Sequence, residues 1–287
     1  MVAPREEFAA DFARMRDEGL DRLRHSSLAI VGLARNCEGP LYVNLFRLLE
    51  LVKGCRDWRL HIETNDNADR TEEVLQAFVD EYPQASYRSQ TLGREHYGAE
   101  FAGRRTIALA EYRTACQEWV RQQAHESDYV LVVDWDAWGG WIHDGLLNSL
   151  GWLVELQGAY GMASLSLAEF MMPDRGPIWA HYDAWALRLN SFWDDYTHNE
   201  GGWKHQWLPP IGSRPQLVCS AFGGLCVYKT DAYLAGTYDG SDCEHVTYHR
   251  SIAERTRQHL YLNPSQRTFM HWLPEETDGG QHSDDQP

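Results

Sequence analysis

Residues 129–136, Tyr-Val-Leu-Val-Val-Asp-Trp-Asp, constrain the fold more than any other part of the chain. The apolar, mostly β-branched run is typical of a buried strand, and two aspartates follow where it ends. Because residues i and i+2 of an extended segment point the same way, Asp134 and Asp136 are expected to face one site at the rim of a sheet. Such a pair could share a hard divalent cation, which prefers oxygen ligands. An isolated Asp-x-Asp is more often a polar turn, so the other segments decide between these interpretations.

Strand and helix patterns alternate along the first half of the chain. The strand patterns cover residues 27–33, 58–63, 86–90 and 129–134. The helix patterns cover residues 40–53, 71–82 and 101–125. This alternation with short connections predicts a parallel sheet flanked by helices.

The second half is less regular. Its strand patterns lie at 161–167 and 216–229, and a helix is predicted at 245–258. Residues 170–215 are rich in Trp, Pro, Gly and Asp, which predicts long loops over a site.

Composition argues against several classes of protein. A net charge of -16 repels a phosphate backbone and disfavours broad nucleic-acid binding. No apolar run approaches the roughly 18 to 20 residues of a membrane span, and the N-terminus lacks the apolar region of a secretory signal. The 6 cysteines form no Cys-x-x-Cys pair, so neither a zinc ribbon nor a disulfide scaffold is indicated. We therefore expect a cytoplasmic protein without a membrane span.

Polar residues end two other predicted strands, at Ala34-Arg35-Asn36 and at Glu63-Thr64-Asn65. In a parallel sheet these ends share an edge with the aspartate pair, where they could hold a base and a ribose. Asn and Asp are also ordinary turn formers, and that alternative stays open.

Two arginines of the long predicted helix lie on neighbouring faces. Arg105 and Arg113 are two turns apart and about 80° apart around the axis, and arginine forms paired hydrogen bonds to phosphate oxygens. The alternative is a solvated helix face.

The last two motifs are a pair of glycines and a glutamate followed by a histidine. Gly223 and Gly224 interrupt a strand, which either lets a ligand approach the backbone or marks a β-bulge. Glu244 and His245 open the last helix, where a carboxylate is favoured by the helix dipole and could also serve as a general base.

The order of these features resembles the GT-A fold of nucleotide-sugar glycosyltransferases. More narrowly, four motifs are similar to the fungal capsule-associated α-1,3-mannosyltransferase family: Ala34-Arg35-Asn36, Arg105 to Arg113, Phe222-Gly223-Gly224 and Cys243-Glu244-His245. The resemblance runs from about residue 27 to 272. Thr114 departs from it, since that family usually has Asn there, and so does His245, where GT-A enzymes commonly have Asp.

The resemblance implies an α/β fold of one large domain, with a mixed, mostly parallel central sheet flanked by helices. Residues 1–26 would be an amphipathic helix packed on this domain, which spans 27–272. The domain would divide into a nucleotide-binding half at 27–136 and an acceptor half at 137–272. Residues 273–287 are expected to form a disordered acidic tail, because the stretch from Pro274 onward lacks large apolar side chains.

The implied activity is transfer of a sugar from a nucleotide-diphosphate donor, of the UDP or GDP type, to a hydroxyl acceptor, either a glycan or a modified nucleobase. Mn²⁺ or Mg²⁺ would be held by Asp134, Asp136 and His271. The donor nucleotide would contact Ala34, Arg35, Asn36, Glu63, Asn65, Arg105, Arg113 and Asp134.

The donor sugar and the acceptor are assigned to Trp135, Asp183, Trp185, Gly223 and Gly224, with core packing as the alternative for the two tryptophans. Catalysis is assigned to Glu244 and His245. Two other functions stay open: a metal-dependent phosphoester hydrolase built on the same metal ligands, and a noncatalytic carbohydrate-binding protein, suggested by the 12 tryptophans.

Overall fold

One sheet of 11 strands runs through the described part of the protein. The computed structural model describes residues 3–95, 97, 103–172, 176–189 and 203–270. The predictions made for His271 and for the acidic tail at 273–287 therefore lie outside the described residues.

The strands are β1 Ser27–Ala34, β2 Asp57–Asn65, β3 Ala85–Gln90, β4 Tyr129–Asp134, β5 Gly140–Trp141, β6 Ala159–Met172, β7 Gly176–His181, β8 Arg188–Leu189, β9 Gln216–Ser220, β10 Leu225–Lys229 and β11 His259–Phe269. The helices are α1 Ala9–Arg24, α2 Glu38–Val52, α3 Thr71–Glu81, α4 Arg104–Gln123, α5 His143–Glu155, α6 Trp203–Gln206, α7 Thr230–Ala235 and α8 Glu244–Thr256. A short 3₁₀ turn at Glu6–Phe8 precedes α1.

The strand order is β3-β2-β1-β4-β10-β6-β11-β9-β8, with β5 paired to β11 and β7 paired to β6. The first four strands of this order are parallel to one another. Strands β10 and β9 run antiparallel to their neighbours, whereas β6 and β11 are parallel. The prediction of a mixed, mostly parallel sheet flanked by helices is confirmed.

Strand β4 is buried on both faces, which explains its unbroken apolar sequence. Leu131 and Val133 join the core under α1, α2 and α5. Val130 and Val132 point to the opposite face and join the core under α4, α7 and α8. The strand lies between β1 and β10, so its C-terminal end, Asp134, comes out at the middle of the sheet edge.

Helix α1 packs closely on α5 through two glycines. A side-chain carbon at Gly19 would lie 1.7 Å from the carbonyl oxygen of Leu147, and one at Gly151 would lie 2.1 Å from that of Met15. The two backbones therefore approach to a distance that only glycine permits. Within the described residues, no helix combines the length and the apolar character needed to cross a membrane.

The segment predicted as long loops has more regular structure than expected. β7 pairs with β6 as a hairpin, and β8 pairs with β9. The hairpin ends at His181, so the residues that follow it are delivered to the same sheet edge as Asp134.

Candidate functional site

A cavity of about 440 Å³ opens at the edge where β1, β2 and β4 end. Among the residues predicted from the sequence, those lining it are Ala34, Arg35, Glu63, Asn65, Arg105, Arg113, Asp134, Asp136, Asp183, Trp185, Gly224, Glu244 and His245. They come from both halves of the chain, and the sheet topology brings them together.

The two aspartates at the C-terminal end of β4 face this cavity together. Asp134 is the last residue of the strand, and its backbone amide donates to the carbonyl oxygen of Gly224 over 2.8 Å. Asp136 follows in the turn and is half-buried. Burial and the neighbouring charge of Asp134 raise the pKa of Asp136 to about 6. The two carboxylates are close enough for one to disfavour ionisation of the other.

Arg113 is a buried cation between two carboxylates. It is 3% exposed. Its Nη2 donates to Oδ1 of Asp134 over 2.5 Å, and its Nε lies 4.0 Å from Oε1 of Glu244. Burial alone would lower the pKa of Arg113, but the two carboxylates raise it above its ordinary value. The arginine therefore stays charged and compensates both acids.

Arg105, two turns earlier on α4, has a different environment. It also lines the cavity but is only half-buried. Its Cζ lies 5.6 Å from the centre of the Trp185 ring, a cation–π distance. The helix thus presents one arginine in the wall of the cavity and one nearer to solvent.

Asp183, just after β7, enters the cavity from the second half of the chain. Its Oδ2 accepts from the backbone amide of Gly223 over 2.9 Å, and its Oδ1 accepts from that of Ala186 over 3.4 Å. Burial raises the pKa of Asp183 to about 7, although the amide of Gly223 opposes the shift.

The pair that opens α8 is more buried than expected for exposed catalytic groups. Glu244 is 4% exposed, and burial raises its pKa against the opposing charge of Arg113. The His245 ring stacks on Phe222 with centroids 3.7 Å apart. Neither ring nitrogen of His245 has a hydrogen-bond partner among the described residues, and burial lowers its pKa well below the ordinary value. His245 is therefore uncharged and lines the cavity.

Several of the predicted base-binding residues already form hydrogen bonds within the protein. The Glu63 carboxylate is hydrogen-bonded to His61 over 2.9 Å and to Arg88 over 2.9 Å. Arg35 donates to two backbone carbonyls in the segment before α4. Asn36 is exposed, has a φ of 49° and does not line the cavity. Its amide oxygen accepts from the backbone of Ala68, so it shapes the neighbouring loop.

The assignment of Trp135 to the sugar or acceptor is wrong. This side chain is 0% exposed and belongs to the core under α1, α2 and α5. A side-chain carbon at Gly32 would lie 2.5 Å from its Nε1, so the indole packs closely against β1. Residues i and i+2 share a side of the chain, and Trp135, between the two aspartates, points the other way.

Sequence reasoning gave no role at the site to several other residues of the cavity. They are Leu33, Tyr97, Ala108, Leu109, Tyr112, Ser166, Tyr182, Ala186, Phe222, Cys243 and Met270. A signal existed for those on α4, because Ala108, Leu109 and Tyr112 lie three, four and seven residues after Arg105 and so share its helix face. No comparable pattern marks Met270.

The donor chemistry of the aspartate pair fits a hard divalent cation. No group of three or more His, Cys, Asp or Glu side chains is placed to hold a metal in the part of the chain that the structure describes. A magnesium-like ion, however, is usually held by one or two carboxylates together with substrate phosphates. Burial and, after it, the charge of Asp134 raise the pKa of Asp136, and a bound cation would favour the ionised form of this carboxyl.

Comparisons with known proteins establish the fold. No family model matches this sequence, and a search of the curated proteins gives no match. The structure is similar to that of GalNAc-T7 with UDP, GalNAc and Mn²⁺, with a TM-score of 0.51 and 13% identity over 87% of this chain and 44% of that chain.

Two further structures are less similar. The mannosyltransferase PcManGT from Pyrobaculum calidifontis, in complex with GDP-Man and Mn²⁺, has a TM-score of 0.48 and 13% identity over 94% of this chain and 68% of its own. TarS from S. aureus has a TM-score of 0.48 and 10% identity over 85% of this chain and 60% of its own. This chain thus spans less than two thirds of the GalNAc-T7 and TarS chains. At such identities a likeness shows the fold alone, and the chain has the GT-A fold predicted from its sequence.

Proposed function

We propose that the protein is a metal-dependent glycosyltransferase that moves a sugar from a nucleoside-diphosphate donor to a hydroxyl group. One observation carries this proposal: Asp134 and Asp136 face a single cavity, together with Arg105 and Arg113, at the carboxyl edge of a GT-A sheet. Open α/β sheets bind ligands in the crevice outside this edge.

The strand order suggests how the donor lies. β2 and β1 end at one side of the cavity, β4 ends in the middle, and Asp183 follows the hairpin of β6 and β7 on the other side. A donor with its nucleoside near Ala34 and Asn65 would therefore carry its diphosphate to the aspartates and its sugar to Asp183 and Trp185. The cavity of about 440 Å³ lies within the range typical of ligand pockets.

Asp134 and Asp136 would hold Mn²⁺ or Mg²⁺. When bound, such an ion would neutralise the negative charge that builds on the diphosphate as the bond to the sugar breaks. Arg113 would hold the Asp134 side chain in place, because its buried guanidinium is hydrogen-bonded to that carboxylate. Arg105, which is more exposed, would meet the phosphate oxygens directly.

For a phosphate-bearing ligand, the charges close to the cavity matter more than the net charge of the chain. The protein carries a net charge of -16, which disfavours a phosphate-bearing ligand at long range. Salt screens exposed charges beyond about 10 Å, whereas the cavity is lined by three arginines and has a place for a cation. The immediate surroundings of the diphosphate therefore decide its binding.

The narrower prediction, a relative of the fungal capsule-associated mannosyltransferases with a glycan or modified nucleobase as acceptor, stays a prediction. The hydrolase alternative loses support because no cluster suited to a two-metal site occurs among the described residues. Trp185 is the one of the two assigned tryptophans that lines the cavity, so an aromatic platform for a sugar would rest on it and not on Trp135.

A thermal-shift experiment tests the proposal. UDP, GDP and their sugars are added with and without Mn²⁺ to the wild-type protein, to Asp136→Asn and to Asp17→Asn, which replaces an exposed acid of α1 outside the cavity. We expect at least one nucleoside diphosphate to raise the melting temperature of the wild type and of Asp17→Asn only when Mn²⁺ is present. Asp136→Asn should show no such response.

Release of nucleoside diphosphate from the stabilising donor is then measured by chromatography. If no nucleoside diphosphate stabilises the wild type with metal, the proposal fails. If free glycans alone stabilise it, the protein is a carbohydrate-binding protein.

A further inference from the structure

Asp183 is held at one edge of the cavity by the backbone and not by a cation. Its two carboxylate oxygens accept from the amides of Gly223 and Ala186, and its own amide donates to Oγ of Ser166 over 2.8 Å. Each carboxylate oxygen has a second lone pair, so the side chain can still accept a hydrogen bond from a ligand. Among the described residues it forms no ion pair, in contrast to Asp134 and Glu244.

The glycine pair fixes the position of Asp183 relative to the proposed metal site. Gly223 donates its amide to Asp183, and Gly224 accepts the amide of Asp134 through its carbonyl. Both glycines have positive φ, 66° and 76°, which other residues rarely adopt. The dipeptide is thus hydrogen-bonded to the side chain of Asp183 through Gly223 and to the backbone of Asp134 through Gly224.

The alternative bases predicted from the sequence are poorly suited to take a proton. Glu244 is 4% exposed and its Oε1 lies 4.0 Å from Nε of the buried Arg113, so this carboxylate is already engaged as the counter-charge of an arginine of the protein, although burial raises its pKa. His245 is buried against Phe222, with its Nε2 3.5 Å from Oε1 of Glu244. Burial lowers the pKa of His245 well below its ordinary value, so its ring is a weak base.

We propose that Asp183 is the general base that removes the proton of the acceptor hydroxyl, so that transfer proceeds in one displacement with inversion at the anomeric carbon. This inference rests on the proposed function. In the step, the acceptor oxygen forms a bond to the anomeric carbon while the bond from that carbon to the phosphate oxygen breaks. The bonding electrons leave with the nucleoside diphosphate, and the acceptor proton passes to the carboxylate of Asp183.

The electrostatic surroundings agree with this role. The groups that face Asp183 are Asp134 from β4, Glu244 and Cys243 at the start of α8, and its neighbour Tyr182. Burial first, and then the charges of Asp134 and Glu244, raise the pKa of this carboxyl to about 7. A base with a pKa near the working pH is most effective, since it is both available and strong enough to accept a proton.

The experiment uses the nucleotide sugar that stabilises the wild type with Mn²⁺, with water and then methanol as acceptors. Asp183→Asn keeps the shape and removes the base, Asp183→Glu keeps a carboxylate, and Glu244→Gln tests the competing acid. Nucleotide release is followed from pH 5 to 9, and NMR gives the anomeric configuration of the methyl glycoside made by the wild type. Metal-dependent stabilisation by the nucleoside diphosphate is measured for every variant.

We expect Asp183→Asn to bind the nucleotide with metal as the wild type does and to lose about 10²- to 10⁴-fold in rate. Asp183→Glu should recover part of that loss. The wild-type rate should rise with pH through the region of pH 7 and then level off, and this limb should vanish in Asp183→Asn. The methyl glycoside should have the configuration opposite to that of the donor.

Three results would overturn the inference while leaving the proposed function in place. They are a loss below tenfold in Asp183→Asn with normal nucleotide binding, a product of retained configuration, and a larger loss in Glu244→Gln than in Asp183→Asn. The configuration is read from the wild type, so it decides the matter even if Asp183→Asn does not fold. Absence of any nucleotide response in the wild type would instead refute the proposed function itself.

Discussion

Arg113 donates a hydrogen bond of 2.5 Å from Nη2 to Oδ1 of Asp134, and both side chains line the candidate site. The arginine is buried and the aspartate is at the cavity surface, with 4% and 27% of their side chains exposed. The contact ties the first carboxylate after β4 to the middle of α4. Arg113 therefore interacts directly with Asp134 and Glu244, and it would affect ligand binding by holding these carboxylates in place.

Replacing Arg113 by Met should destabilise the protein by about 3–5 kcal/mol, because the buried Glu244 and the partly buried Asp134 lose their counter-charge. Urea unfolding at pH 7.5 measures this loss. The matched control is Arg121→Met on the same helix, whose partner Glu118 is exposed; it should cost about 1 kcal/mol or less. Equal effects at the two positions would contradict the role given to Arg113.

Asp136→Asn should make the metal-free protein more stable at pH 8, although it should abolish the proposed activity. The pKa of Asp136 in the folded protein is about 6, above its ordinary value of 3.8. A carboxyl with a raised pKa is harder to ionise in the folded protein, so its ionisation costs stability above pH 6. The gain from Asn should shrink as the pH falls from 6 towards 4, where the folded wild type binds a proton.

Melting temperatures of the two proteins at pH 8 and pH 5, with EDTA and with Mn²⁺, provide the check. Mn²⁺ should stabilise the wild type and leave Asp136→Asn unchanged. A variant that is less stable than the wild type at pH 8 in EDTA would argue against repulsion between the two aspartates.

Much of the fold follows from local patterns in the sequence. The run 129–133 predicts a strand buried on both faces, and the structure packs a different helical layer on each face of β4. The alternation of strands and helices before it predicts the parallel half of the sheet. These features depend on side-chain period and composition, which a sequence displays directly.

The candidate site was less predictable, since its members meet only through tertiary contacts. The period of an extended chain relates Asp134 to Asp136, but nothing local shows that Arg113 would be buried between Asp134 and Glu244. Trp135 was assigned to a ligand because it lies between the two aspartates of the predicted metal site. The same alternation that turns those aspartates to the cavity turns Trp135 into the core. The pairing of Asp183 with Gly223 joins residues 40 positions apart and needs the folded sheet.

Gly223→Ala should destabilise the protein far more than an alanine at another glycine of similar backbone conformation. A side-chain carbon at Gly223 would lie 2.3 Å from the carbonyl oxygen of Ser164, which belongs to the central part of the sheet. Gly93 has a φ of 64° but nothing within 4 Å, so Gly93→Ala should cost only the ~1–2 kcal/mol of the left-handed conformation.

Chemical denaturation of the two variants separates the steric contribution from the conformational one. The collision also displaces the amide that holds Asp183, so any Gly223→Ala protein that folds should bind nucleotide and metal but transfer sugar slowly. Similar unfolding free energies for the two variants would show that the glycine pair is not tightly packed.

His249 should make the protein less stable as the pH falls below neutrality. The ring is fully buried, with Nδ1 2.9 Å from Oγ of Ser220 and Nε2 2.8 Å from the hydroxyl of Tyr228. Burial lowers the pKa of His249 to about 3, whereas a histidine in the unfolded chain has a pKa near 6.5. Between these two values the unfolded state binds a proton that the folded state does not, so stability falls with pH by about 1.4 kcal/mol per unit for this group.

His249→Gln removes that contribution and should flatten the pH dependence of the unfolding free energy between about pH 6.5 and 4. The carboxyls of Asp136 and Asp183 act in the opposite direction, because their raised pKa values let the folded state bind protons first. These two carboxyls are present in both proteins, so their contributions cancel when the pH dependence of the variant is subtracted from that of the wild type. The exposed His25→Gln should leave the slope of the wild type unchanged. If both glutamine variants give the wild-type slope, proton uptake by the unfolded chain at His249 cannot be what weakens the fold in acid.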